Sequence, residues 1–137
     1  MKTMRSMTWL FCLVCLGCAG STMPNVLEVK QSGNKEIEIN DRALSHKISF
    51  GEVTVKRLDQ GTEVQVMLQN MTKRDVAFEY RFVWYDAAGF EVSPLTAWIP
   101  ANLSAGQGSG FKSTAPTATA VDFKLMIRSP HPLTNMT

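Results

Sequence analysis

From residue 37 onward, apolar and polar residues alternate with a period of two, and this constrains the fold more than any other feature. Ile37 and Ile39 alternate with Glu36 and Glu38, Val53 and Val55 with Glu52, Thr54 and Lys56, and Val64, Val66 and Leu68 with Glu63, Gln65 and Gln69. Val121, Phe123, Leu125 and Ile127 continue the pattern around Asp122, Lys124 and Arg128. Successive side chains of a strand point to opposite faces, so such runs are half-buried strands. Turn signals separate them: Asp59-Gln60-Gly61, Asn70-Met71-Thr72, Asp86-Ala87-Ala88-Gly89, Ser93-Pro94, and the glycines at 106, 108 and 110. No helix-period stretch competes beyond a single turn over Asp41 to His46. The expectation is an all-β, immunoglobulin-like antiparallel sandwich of about seven strands.

The longest strand expected runs from Val76 to Asp86. Val76, Phe78, Tyr80, Phe82 and Trp84 share one face, and Ala77, Glu79, Arg81, Val83 and Tyr85 the other. The first face is the expected centre of the core, because large aromatics bury the most apolar area per residue. Asp86 to Gly89 reads as a tight connection, with Gly89 supplying a positive φ and the Asp86 carboxylate accepting the turn's own N–H groups.

The amino-terminal segment constrains location. Lys2 and Arg5 precede an apolar run from Met7 to Leu16, the pattern of a secretory signal, and this run is too short for the roughly 20 residues of a spanning helix. In Cys15-Leu16-Gly17-Cys18 a small residue precedes a cysteine at the end of the run, which resembles a bacterial lipobox with Cys15 in the place of the usual leucine. Cys18 is then the lipidated residue. The alternative is cleavage after Ala19, with Gly17 and Ala19 as the small recognition residues and a soluble periplasmic product. Cys12, Cys15 and Cys18 are the three cysteines of the chain, so the body has no disulfide and relies on its core. The organisation expected is a signal peptide at 1–17, a lipid-anchored tether at 18–34, a β-sandwich at 35–130 and a tail at 131–137.

With Lys2 and Arg5 set aside, twelve bases stand against twelve acids. A neutral body argues against nucleic acid as a partner and against a polybasic membrane surface. Neither a metal site nor a cofactor is expected: His131 sits in Ser129-Pro130-His131-Pro132, away from His46, and the methionines lack the clustered spacing of soft-metal capture. A Gly-x-Ser-x-Gly elbow, a phosphate loop and a nucleophilic cysteine are missing, so the expectation is no enzyme. The candidate partner-binding surface is Arg81 and Tyr85, two pleats apart on the outward face of the aromatic strand, with Trp98 in a Pro-flanked segment able to fold near them. A planar cation beside aromatics combines apolar area with directional donors. A covering loop that makes Tyr85 and Trp98 satellite core is the structural alternative.

The run Tyr80-Arg81-Phe82-Val83-Trp84-Tyr85-Asp86-Ala87-Ala88-Gly89-Phe90-Glu91, with Gln69-Asn70 upstream and Pro94-Leu95 and Ile99-Pro100 downstream, resembles the YcfL family of small gammaproteobacterial lipoproteins over roughly Phe50 to Arg128. The resemblance implies an immunoglobulin-like domain behind a lipobox with no established catalytic activity. Ala19 after the cysteine would imply the periplasmic face of the outer membrane. Proximity of such genes to an activator of peptidoglycan synthesis hints at an envelope role. The functions expected are therefore a non-catalytic binding or scaffold module whose partner is an envelope protein or a peptidoglycan component, an accessory factor of a peptidoglycan synthase, or, from other classes, an envelope hydrolase or a soluble carrier.

Overall fold

The computed structural model describes residues 23–92 and 96–130. The expected β-sandwich is observed, with eight strands. They are β1 (Asn25–Val29), β2 (Lys35–Glu38), β3 (Ile48–Leu58), β4 (Gly61–Asn70), β5 (Val76–Tyr85), β6 (Ile99–Leu103), β7 (Gly108–Thr114) and β8 (Asp122–Arg128), with one helical turn, α1 (Arg42–Ser45), between β2 and β3. A five-stranded sheet in the order β2-β1-β8-β5-β6 faces a three-stranded sheet in the order β3-β4-β7, and every pairing is antiparallel.

The alternation places the core. Phe78, Phe82 and Trp84 of β5 are buried with Phe123, Leu125 and Ile127 of β8 and Val64, Val66 and Leu68 of β4. Aromatic edges join the two sheets, the Phe111 ring of β7 lying 5.7 Å from Phe78 and 4.8 Å from Tyr80 between centroids. The Trp84 indole N–H donates to Ser113 Oγ at 2.9 Å, which satisfies the one polar atom the largest core ring carries.

Apart from β2, which is exposed along its whole length with Ile37 at 51 % where the alternation predicts a half-buried strand, three features differ from the sequence reading. The longest strand is β3, with 11 residues, and a bulge between Phe50 and Val53 shifts its parity: Phe50 opposes Leu68 and Val53 opposes Val66, so both stay on the inner face across an interrupted alternation. The glycines at 108 and 110 lie inside β7 rather than in turns. A Cβ at Gly108 would come within 2.5 Å of Gln69 Oε1, and one at Gly110 within 2.7 Å of Gln65 Cδ, so the glutamine side chains of β4 occupy the space beside them. The third difference lies at the amino-terminal boundary. β1 falls in the stretch assigned to the tether, and it pairs with both β2 and β8, so the sandwich begins at Asn25 and not at residue 35. The signal peptide at 1–17, Cys18, the Ser93-Pro94 turn and the tail at 131–137 lie outside the described residues.

The helical turn forms as expected at Asp41 to His46. The Asp41 carboxylate caps it by accepting the Leu44 N–H at 3.0 Å, and Leu44 is buried beneath. Asp86 behaves as a turn acceptor, its Oδ1 taking the N–H groups of Ala88 and Phe90 at 3.0 and 2.9 Å, while Gly89 adopts φ +86°. Beyond that turn a single bridge, Tyr85 to Glu91, forms in place of a regular second hairpin strand.

Candidate functional site

The outward face of the five-stranded sheet carries the residues singled out from sequence, and two of the three come together. The Trp98 ring, delivered by the segment entering β6, lies with its centroid 4.6 Å from the Arg81 guanidinium carbon. A second guanidinium, that of Arg128 on β8, stands 4.1 Å from the same ring. Arg128 is in register with Glu79 and pairs with it, Nε to Oε2 at 2.6 Å. Arg81 has no carboxylate partner among the described residues, and its Nε is buried without a hydrogen bond. Two cations therefore share one aromatic ring while a single carboxylate neutralises one of them. Cation–ring contacts contribute about 0.5–1 kcal/mol where exposed and about 2 where desolvated, so Trp98 holds both arginines in place.

Tyr85 stands apart from this cluster, at the other end of β5. The Lys124 ammonium lies 5.2 Å from its ring, and that lysine also reaches Glu28 at 3.8 Å. Burial pushes the Tyr85 phenol above its ordinary value of 10.0, and the carboxylates of Glu91 and Glu28 add to the rise against the lowering effect of Arg81. Val83, between Arg81 and Tyr85 on the outward parity, is buried, so part of this face is covered. Thr96 docks at the edge of β5, donating its hydroxyl to the Phe82 carbonyl at 3.1 Å. Arg128 is the member that sequence reasoning missed. Its signal was available, since the parity of β8 already sets Lys124 and Arg128 outward.

A larger concavity lies elsewhere, between the sheets. A cleft of about 420 Å³ opens where the β1–β2 turn, the second half of β3 and the 115–120 loop converge, with Val53, Val55, Trp84 and Phe123 among its apolar lining. Val55 points inward, opposite the fully buried Val64, yet is 52 % exposed because the five-stranded sheet does not extend over it. Lys30, Lys35 and Arg57 also line this cleft, and no carboxylate does. Of the acids beside it, Glu28 lies 3.6 Å from Lys30 and Asp122 accepts the Gln31 N–H at 2.7 Å, while Glu28 and Glu36 line a neighbouring shallow cavity with Lys30 and Lys35. A smaller cavity of about 270 Å³ on the opposite flank includes Arg81, Thr96, Ile99 and Lys112.

Among the described residues no three of His, Cys, Asp and Glu converge as a metal-holding group. His46 is exposed at the end of α1, and His131 lies outside the described residues. No helix of the described residues is long and apolar enough to cross a membrane.

Comparison with known families gives a match over residues 35–129 to DUF1425, described as a protein of unknown function. The chain belongs to the DUF1425 family. A solved DUF1425 member from Shewanella shares the fold at TM-score 0.57 and 20 % identity, covering 82 % of this chain and 94 % of that one. The structure of Campylobacter jejuni cj0090 matches at TM-score 0.52 and 20 % identity, over 59 % of this chain and 85 % of that one. No curated protein matches the sequence. For this DUF1425 chain these likenesses establish the sandwich, and chemistry has to be argued from the side chains.

Proposed function

We propose that this DUF1425 chain is a non-catalytic, lipid-anchored module of the cell envelope, of the YcfL type, attached through Cys18 and facing the periplasm from the outer membrane. It recognises an envelope protein or a peptidoglycan component through the outward face of its five-stranded sheet. The observation that carries this reading is the Arg81–Trp98–Arg128 cluster, two guanidiniums held on one ring with one of them lacking a carboxylate partner among the described residues. Such a group offers planar donors that are already ordered, so little side-chain entropy is lost on binding an acidic or carbonyl-rich partner. The leader supports the location, since a charged start, a short apolar run and Gly17-Cys18 together fit acylation. Two or three acyl chains, at about 0.8 kcal/mol per buried methylene, hold such a protein on a membrane.

Two measurements test the reading. Intact-mass analysis of protein extracted from membranes is expected to find an amino terminus at residue 18 with acyl mass, and Cys18→Ala to abolish it. A photo-crosslinking residue at Tyr85, on the same outward strand face as Arg81, is expected to capture one envelope partner in cells, and Arg81→Ala to reduce that capture at least fivefold. An unacylated terminus after residue 19 would favour the soluble carrier, and capture indifferent to Arg81→Ala would remove the cluster from recognition.

A further inference from the structure

The cleft between the sheets combines two properties that the fold itself does not require. Its lining is apolar and partly open to water: Val55 faces inward but lies half exposed, while Trp84 and Phe123 close the depth. A sandwich that only needed a core would cover an inward valine, as it does Val64 on the neighbouring strand. Its polar lining is of one sign, with Lys35 and Arg57 presented from opposite sheets and Lys30 beside them.

We propose that this cleft binds a medium-chain fatty acid, with the carboxylate on Lys35 and Arg57 and the chain along Val53, Val55, Trp84 and Phe123. Charge complementarity selects an anion at the mouth, because Lys35 and Arg57 line the cleft with no carboxylate in the lining, Lys30 beside them being paired with Glu28. The interior selects an acyl chain over a peptide. Each amide of a peptide must find a partner or lose its hydration, and this depth offers few: the Trp84 indole N–H is already given to Ser113. A polymethylene chain asks for none. The volume, about 420 Å³, is at the small end of the roughly 300–1,000 Å³ of ligand sites and suits one chain rather than two. β1 enters the sandwich at Asn25, at the end opposite the Val29–Lys35 turn that borders the cleft, so the mouth lies away from the side on which the chain arrives. The inference stands apart from the anchored-module reading, which concerns residue 18 and the outward sheet face.

Equilibrium dialysis of the purified protein against radiolabelled dodecanoate, below its micellar concentration, tests this. One saturable site per chain is expected, tightening about fourfold for each methylene added from octanoate to dodecanoate, the factor that about 0.8 kcal/mol per methylene implies. Dodecanol is expected to bind at least tenfold more weakly than dodecanoate. Lys35→Glu combined with Arg57→Glu should weaken dodecanoate at least tenfold while leaving dodecanol unchanged, which separates loss of the charge from loss of the fold. Lys56→Glu, on the opposite face of β3, should leave both unchanged. Absence of saturable uptake, equal affinity for dodecanol, or an equal loss in Lys56→Glu overturns the assignment, as does tighter binding of acetyl-trivaline, which would make the site one for a peptide carboxylate. Any of these results leaves acylation at Cys18 and capture at Tyr85 to stand or fall on their own.

Discussion

The two ends of this sandwich are closed by different means. At one end lie the start of β1, the end of β4 and the helical turn, and two asparagines there are buried completely. Asn25, 0 % exposed, donates to the Asp41 carbonyl at 2.9 Å and accepts the N–H groups of Asn40 and Asp41 at 2.8 and 2.7 Å. Asn70, 1 % exposed, places Nδ2 at 2.8–3.0 Å from the carbonyls of Arg74, Leu103 and Ser104, while its Oδ1 takes the N–H and hydroxyl of Thr72. These side chains replace missing ladder bonds where strands leave the sheets, and α1 covers the remainder. The opposite end has no buried asparagine among the described residues, and its side-chain bonds to backbone, Asp122 to the Gln31 N–H and Asp86 to Ala88 and Phe90, lie at the surface. There β3 runs past the edge of the five-stranded sheet, its inward valines meet water, and cations line the opening. Polar groups at the closed end are spent on the fold, whereas Lys35 and Arg57 at the open end have no carboxylate partner among the described residues.

Substitutions at the two ends should therefore have unequal effects, and the largest is expected at the closed end. Asn70→Ala takes the side-chain donor from the buried Leu103 carbonyl and the acceptor from the Thr72 N–H, while the Ser104 carbonyl keeps the Gln107 N–H and the Arg74 carbonyl the Thr72 hydroxyl, at about 1–3 kcal/mol for each group left unsatisfied. A loss of about 3–4 kcal/mol in urea unfolding is expected, and less than about 1 would mean that water replaces the asparagine and that this end is not pinned. Next come Val64 and Val55, direct cross-strand partners. Val64→Ala should cost about 2 kcal/mol from lost burial and the cavity left behind. Val55→Ala, at the open end, should stay within about 0.5 kcal/mol. Similar costs at both positions would show that the cleft is closed in solution.

On the outward face, Trp98→Ala should cost about 1 kcal/mol by releasing Arg81 and Arg128. Arg128→Ala should cost more than Arg81→Ala, because it leaves Glu79, a partly buried carboxylate, without its partner. The smallest effect is at Tyr85. A phenol whose folded pKa is raised binds its proton more firmly in the folded state, so its contribution is fully present below pH 10 and is lost as pH rises through the folded value. Tyr85→Phe should thus leave stability unchanged with pH around neutrality and flatten its decline above pH 10. A difference that appears at neutral pH would point to a lost hydrogen bond instead.

Much of this was legible in the residues, and the parts that were not share a cause. The inner faces of β4, β5 and β8 follow directly from alternation, and Gly89 and Asp41 announce their turn and cap by local chemistry. β7 was hidden because glycine marks turns far more often than strands, and only the side chains of Gln65 and Gln69 on a strand forty residues away explain Gly108 and Gly110. β1 was hidden behind the expectation of a tether. The proximity of Arg81 to Trp98 was readable from parity and flanking prolines, but the pairing of Glu79 with Arg128 depends on the register of β5 against β8. The cleft could not be read at all. Val55 and Val64 look alike in sequence, and their difference arises from how far one sheet reaches over the other.

Amide hydrogen exchange with and without saturating dodecanoate tests the division between the two ends most directly, because it reads both in one protein. Added ligand is expected to raise protection at least threefold across residues 30–35 and 53–57 and to leave residues 40–48 and 70–76 as they were. Protection that rises equally at both ends, or only around Asn25 and Asn70, would contradict a pinned end opposed to an open, ligand-ready one.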